Sequence, residues 1–393
     1  MLKSYSRAWC EIDYKAINHN LDEIQKLVGK TKIMGIVKAN AYGHGDVACA
    51  RQMAKWGVDF FGVSSIDEAL NLRENGIDQD ILILGYTPVE HFHYLYEKNI
   101  VQSLISFEYA QKLNAFAKEN DAMIRCHCKV DTGMCRTGII YQDQDKHMDQ
   151  IIAEYRLSNL SVEGIFSHFP VSDDLGVDSR TFTENQIRLF KEVIDNLKKE
   201  GINCGIKHIQ NSYGILNYMD LGMDYCRPGL LYMGVTSDDQ IPILSNPDFI
   251  PIMSIYANVS LVKWIQEGQS VSYGRNFIAT KPTKVATVSI GYADGIPRLL
   301  SNQGFEVLIH GKHCKVIGNI CMDQCMVDVT DVENVKEGDI CCFVGQMGQE
   351  RVTIDTISRL AKTINNETMS AIAARVPRLE KRYYEGEKKI CRN

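Results

Sequence analysis

Lys38 stands where the apolar run Ile33-Met34-Gly35-Ile36-Val37 gives way to Ala39-Asn40-Ala41-Tyr42-Gly43-His44-Gly45. A lysine delivered to the end of a buried strand loses water, and the loss disfavours its ammonium form. The neutral amine that remains can form a Schiff base with an aldehyde. The glycines that follow let the backbone approach a bulky group closely. A lysine at an arbitrary strand end would instead snorkel to solvent. The chain also carries 18 tyrosines. With an ordinary pKa near 10, a tyrosine is a poor base unless its phenolate is stabilised.

These residues need elements to hold them. Up to about residue 235, short Val- and Ile-rich runs alternate with longer helical patterns, the signature of parallel βα units. Eight runs, near 32–38, 59–64, 81–86, 101–106, 123–131, 161–168, 206–211 and 223–227, predict an α/β fold with an N-terminal TIM (β/α)8 barrel. Helices are expected over 46–57, 66–76, 107–120 and 180–201. A doubly wound open sheet is the alternative, but no Gly-x-Gly-x-x-Gly opens the first helix.

On the barrel reading, the notable polar residues fall at strand C-termini, where the active sites of this architecture lie. Lys38 and Tyr42 follow the first strand, Arg136 the fifth, His168 the sixth, Asn211 and Ser212 the seventh, and Arg227 the eighth. The loops after strands seven and eight form the usual phosphate cradle, and Asn211-Ser212 with Gly229-Leu230 would supply its amides. Asn-Ser before a helix also serves as a plain N-cap.

After Thr236-Ser237-Asp238-Asp239 the pattern shortens into alternating segments such as Ala257–Val262 and Phe305–Ile309, so residues 237–393 are expected to form a mostly β domain. The barrel domain is then 1–236, with room for about the first 10 residues to pack with the second domain.

Bulk composition excludes several classes. The 393 residues carry 43 basic and 49 acidic side chains, net charge −6, with no basic stripe, which argues against a nucleic-acid partner. The N-terminus lacks an apolar signal core, and no run approaches the roughly 18 apolar residues of a membrane span. Thirteen cysteines without a paired Cys-x-x-Cys argue for reduced thiols, a cytoplasmic setting and no metal site.

The string around Lys38 resembles the pyridoxal-phosphate lysine motif of the alanine racemase family, and further motifs extend that resemblance over nearly the whole chain. It implies a pyridoxal 5'-phosphate cofactor bound by Lys38, Tyr42, Leu84, Arg136, His168, Asn211, Ser212, Arg227, Gly229 and Leu230. Cys226-Arg227-Pro228-Gly229 resembles the segment whose arginine meets the pyridine nitrogen; a guanidinium does not readily give up its proton, so that nitrogen would stay unprotonated. Lys129-Val130-Asp131-Thr132-Gly133-Met134-Cys135-Arg136 resembles another motif, with Cys135 where glycine is usual; many members carbamylate the matching lysine, which then holds the arginine. His168 and His208 match as supporting residues, in a hydrogen-bonded chain through Arg227 towards a catalytic tyrosine.

Racemisation moves a proton on two opposite faces of one carbon. Lys38 serves one face, and the resemblance makes Tyr273 the base for the other, with Ser272 replacing the usual glycine. Ser289–Gly295 and Ile320–Gln324 resemble signatures that place Tyr292, Met322 and Asp323 at the substrate pocket. The family also implies a homodimer in which Tyr273 reaches a partner's site, and a role in supplying D-amino acids for peptidoglycan precursors.

One departure bears on specificity. Where the family reads Asn-Tyr-Glu, this chain has Asn365-Asn366-Glu367. Asn366 opens space beside the substrate β-carbon and brings an amide that can pair with a hydroxyl. The replacement resembles that of the serine racemases of vancomycin resistance, whose catalytic domain follows a membrane domain, and implies serine beside alanine as substrate. Two other functions stay open. A single-barrel pyridoxal-phosphate carrier would resemble the first half alone. A basic amino acid decarboxylase would need acidic and cysteine motifs in the β domain, and none matches.

Overall fold

A computed structural model describes residues 6–382, and by its internal contacts the chain forms two compact units. One comprises Ile17–Ala41 and Gly45–Ile250; the other comprises the chain up to Ala16, Tyr42–His44 and the chain from Pro251.

The first unit is a closed parallel barrel. Its strands are Lys32–Ile36, Phe60–Val63, Asp80–Ile83, Val101–Leu104, Ile124–Asp131, Leu160–Phe166, Ile206–His208 and Tyr225–Cys226. Each pairs in parallel with the next, and Tyr225–Cys226 returns to Lys32–Ile36 to close the ring. All eight coincide with the apolar runs of the sequence. Four long helices, Asp46–Trp56, Ile66–Glu74, Phe107–Glu119 and Val177–Lys199, fall where helical periodicity predicts them. Ser65 and Ser106 cap two of these helices by accepting the N–H groups of Glu68 and Tyr109.

The fifth strand breaks the barrel's apolar habit. Successive side chains of a strand point to opposite faces. Cys128 and Val130 pack outward in a core cluster with Leu189, Phe190, Val193 and Leu197. The alternate residues His127 and Lys129 are buried on the inner side, and His127 meets Phe60 of the second strand edge-on at 5.6 Å. Most barrel interiors use bulky aliphatic residues there.

The hydrophobic period changes after residue 236, whereas the contacts divide the chain at 250/251. Residues 237–250 form no regular element yet stay tied to the barrel unit: Leu244 N–H donates to Asn217 Oδ1 at 2.9 Å, and Ile250 N–H to Asn20 Oδ1 at 2.8 Å.

The second unit is mostly β. Met253–Ile265, Thr283–Val288, Cys325–Asp328, Lys312–Ile317, Glu306–Ile309 and Ile340–Met347 pair in that order, and Ile340–Met347 returns to Met253–Ile265. A ring of six antiparallel strands results, which leaves few open edges. Ala8–Ile12 joins it along Met253–Ile265, from Ala8 opposite Ala257 to Ile12 opposite Met253. A separate hairpin, Ser270–Val271 with Phe277–Ile278, carries Tyr273 in its turn.

Candidate active site

Immediately after Lys38 the backbone enters a left-handed turn. Ala39, Asn40, Ala41 and Tyr42 have φ of 53°, 54°, 49° and 49°, followed by Gly43 at 84° and Gly45 at 98°. Each L-residue held this way costs about 1–2 kcal/mol, so the turn needs bracing. Glu68 supplies much of it. Its carboxylate accepts the N–H of Ala39 at 2.7 Å and the N–H and Oγ–H of Ser64 at 2.7 and 2.9 Å. Asn40 Oδ1 accepts the Asp46 N–H at 3.1 Å, and the Val37 carbonyl accepts that of Ala41 at 2.8 Å. Lys38 itself is pushed below the ordinary lysine range, first by burial and then by the Arg136 charge; Glu68 opposes the shift and Arg227 adds to it.

A buried polar file runs from this mouth into the barrel. Arg227 donates to His208 Nδ1 at 2.8 Å, to His168 Nδ1 at 3.2 Å, and to the carbonyls of Ser167 and Ile209 at 2.7 and 3.0 Å. All four bonds come from its two terminal nitrogens, which leaves Nε–H for another acceptor. Burial pulls Arg227 down to about 9, so it remains charged at neutral pH. Burial, followed by the Arg227 charge, holds both His168 and His208 well below the usual histidine range, so both rings are neutral. Because guanidinium only donates, both Nδ1 atoms are acceptors and each ring carries its proton on Nε2.

Lys129 is buried, donates to the Val130 carbonyl at 3.1 Å, and has its Nζ 5.2 Å from the centre of the Phe166 ring. Burial, reinforced by Arg227, brings its amine down to about 7. Arg136 is exposed in the loop that follows. Asp131 shapes that loop by accepting the N–H groups of Gly133 and Cys135 at 2.9 and 3.1 Å. Cys135, where glycine is usual, has φ 53°.

The loops after strands seven and eight meet where Ser212 Oγ accepts the Gly229 N–H at 3.2 Å. Asn211 acts as an N-cap, its Oδ1 accepting the Gly214 N–H at 2.8 Å and the Ser172 Oγ–H at 2.9 Å. Leu230 opens the short helical turn Leu230–Met233, and Leu84 lies just beyond the third strand, near Gly62. Tyr42 sits on the left-handed turn, within the segment grouped with the β unit.

In the β unit, Tyr273 is 71% exposed. Its hairpin turn is tightly constrained: Ser272 has φ 66° and ψ −177°, Gly274 φ 74° and Arg275 φ 51°. Asn319 fixes it by donating to the Tyr273 carbonyl at 2.7 Å while its Oδ1 accepts from Asn276 and Asn302 at 3.3 and 3.2 Å. Tyr292 and Met322 lie on adjoining segments, joined by bonds from Tyr292 N–H to the Cys321 carbonyl and Ala293 N–H to that of Met322, both 3.0 Å. Asp323 is bound by Arg375 at 2.6 Å, and buried Asp294 by Arg7 and Arg375, each at 2.7 Å. Asn366 lies on the helix Asn365–Ser370, and its Oδ1 is buried with no hydrogen-bond partner among the described residues.

Sequence reasoning did not single out Glu68, His127 or Asn319. For His127 a signal existed: Arg125-x-His127-x-Lys129-x-Asp131 puts ionisable residues on alternate positions of a strand expected to be buried.

Two family models match the chain in succession, alanine racemase N-terminal domain over residues 12–237 and alanine racemase C-terminal domain over 252–380. The chain belongs to the alanine racemase family. It is 40% identical to alanine racemase 2 of Caldanaerobacter subterraneus subsp. tengcongensis, over 96% of this chain and 95% of that protein. It is 41% identical to an amino-acid racemase of Enterococcus faecalis, covering 95% of this chain and 51% of that longer protein. Among solved structures, alanine racemase of Clostridium difficile 630 superposes with a TM-score of 0.89 at 34% identity, covering 96% of this chain and 97% of the other. This is a pyridoxal-phosphate family; the alanine racemase of Bartonella henselae was solved with the cofactor covalently bound. No helix among the described residues is long and apolar enough to cross a membrane.

Proposed function

We propose that this chain is an amino acid racemase that interconverts the enantiomers of alanine and of serine, with Lys38 and Tyr273 as its two bases. Three features of the barrel unit fit pyridoxal phosphate: a half-buried Lys38 amine held below the ordinary lysine range, an arginine whose Nε–H has no partner among the described residues, and a junction of the last two loops where Ser212 meets Gly229. When bound, the cofactor supplies an aldehyde carbon for an amine and a conjugated ring that acidifies the substrate α-hydrogen.

Lys38 anchors that aldehyde and holds a proton on one face. Arg227 would hold the ring nitrogen through its Nε–H. It keeps its own proton, so the ring remains a modest electron sink, and proton return is favoured over side reactions. His168, with its proton on Nε2, is a donor suited to a phenolate. Tyr273 serves the opposite face, and its exposure in the single chain suits a group that completes the site of a partner subunit. Lys129, partly neutral near pH 7, is chemically able to carry the carbamate implied by the family motif. Its repulsion of Arg136 would then become attraction.

Serine is supported by one observation, the buried Oδ1 of Asn366 that has no hydrogen-bond partner among the described residues. A buried acceptor without a partner is costly, and a substrate hydroxyl would satisfy it. The physiological role we propose is the supply of D-amino acids for cell-wall precursors. A chiral assay of L-Ala and L-Ser side by side tests the reading. Racemisation of neither overturns it, and racemisation of alanine alone removes the serine half.

A further inference from the structure

The polar file does not end at His208. His208 Nε2 lies 2.9 Å from Nδ1 of His127, and both rings are fully buried. The proton positions follow from Arg227. Arg227 can only donate, so His208 Nδ1 is bare and Nε2 bears the hydrogen. That hydrogen points at His127 Nδ1, which must accept it. His127 then carries its own proton on Nε2, where no partner is found among the described residues.

The barrel is built around this ring. A Cβ at Gly164 would fall 2.6 Å from the His127 Cε1 and Nε2 atoms, so strand six has space for the imidazole only because it carries glycine there. The pairing of strands five and six shifts register between Cys126 and His127, opposite that glycine. Among the described residues a buried donor is left unpaired, a strand is distorted, and the polar contact the ring makes is the acceptor it presents to His208.

We propose that His127 is a positioning residue of the Arg227 site: by accepting the Nε2–H that Arg227 leaves on His208, it holds that ring with its bare Nδ1 against the guanidinium. The other tautomer would turn an N–H towards an N–H and push Arg227 out of place. The effect on turnover rests on the racemase reading; the tautomer itself does not.

Histidine-selective 15N labelling of the holoprotein reads the tautomers directly. His208 is expected to be protonated on Nε2 in the parent, and a His208 protonated on Nδ1 would overturn the proposal without any variant. His127→Asn places a carbonyl oxygen near the position of the lost Nδ1, whereas His127→Phe keeps the ring and loses the acceptor. We expect His127→Asn to keep the Nε2–H tautomer and stay within about 3-fold of the parent kcat. His127→Phe strands the His208 Nε2–H without its acceptor, and should shift the His208 15N resonances and lower kcat about 10-fold or more, with KM for alanine little changed. Equal loss in both variants, or parental kcat in His127→Phe, would show a packing role alone. If His127→Phe does not fold, the parent tautomer and the His127→Asn variant decide.

Discussion

The Glu68 carboxylate accepts the N–H of Ala39, the residue after Lys38, at 2.7 Å, and so ties a helix of the second βα unit to the left-handed turn that ends the first strand. With its other oxygen on Ser64, it holds two strand ends in register at the barrel mouth. Glu68→Ala should therefore destabilise the fold by about 1–3 kcal/mol, since two amides lose a charged acceptor. It should also lower kcat/KM by loosening Lys38. Thermal unfolding and a racemase assay together check this; a variant with parental Tm and parental kcat/KM would mean that the turn holds without Glu68.

Tyr273 follows a residue in a backbone region that is essentially reserved for glycine, Ser272 at φ 66° and ψ −177°. Strain of roughly 1–3 kcal/mol is expected there. Against it stand a hydrogen bond from Ser272 Oγ to the Asn319 carbonyl at 2.5 Å, whose net worth is about 1 kcal/mol, and a weaker contact of the same oxygen with Cys321 Sγ at 3.4 Å. Ser272→Gly should thus leave stability unchanged or raise it by about 1 kcal/mol, with activity retained. A clear loss of stability in urea unfolding would show that the hydroxyl outweighs the strain.

The barrel was legible because its strands are short, buried on both faces and separated by helices, which writes the same period eight times. Lys38, His168 and Arg227 were legible as strand-end residues within quotable motifs. Glu68 and Asn319 were not. Each acts on backbone amides or carbonyls that tertiary folding brings near, 29 residues away for Glu68 and 46 for Asn319. Nothing local in the sequence marks such a partner. Closure of the β ring was hidden for the same reason, because Met253–Ile265 meets Ile340–Met347 far along the chain.

Glu154 gives a pH prediction. It is buried with only the weak Cys128 thiol against it, and burial, slightly opposed by that thiol, raises its carboxyl to about 8. A carboxyl raised on folding binds protons more tightly in the native state. Its contribution is fully present below the unfolded pKa of 4.5 and is lost as pH rises towards about 8. Glu154→Gln removes the titration. Between pH 5 and pH 8 the variant's stability should fall less steeply than the parent's, by several kcal/mol over that range. Parallel stability curves for the two proteins would place the Glu154 pKa near its ordinary value.

Lys38→Ala should lose the visible absorbance of the bound cofactor and nearly all racemisation, since anchor and base vanish together. Tyr273→Phe should keep the absorbance and retain α-hydrogen exchange from one enantiomer alone. If sites are shared across a two-fold dimer, mixing the two inactive proteins should restore activity, because one site of each hybrid holds both bases. Absence of recovery after subunit exchange, shown independently by mass spectrometry of tagged chains, would rule out shared sites.

On the proposed reading, the choice between serine and alanine rests on Asn366. Its buried Oδ1 has no hydrogen-bond partner among the described residues, and an amide is smaller than the phenol usual at this place in the family. An apolar or merely roomy pocket discriminates weakly against an added hydroxyl, whereas a pocket that pairs with the hydroxyl favours it. Asn366→Tyr restores bulk and removes the acceptor. It should lower kcat/KM for L-Ser relative to L-Ala by about 10-fold or more, mainly by loss on serine. Asn366→Ala separates the two causes, because it keeps the space and deletes the amide. If serine falls in Asn366→Tyr and survives in Asn366→Ala, room alone sets the preference; if it falls in both, the hydrogen bond does. A serine-to-alanine ratio unmoved by either change would remove Asn366 from the specificity of this site.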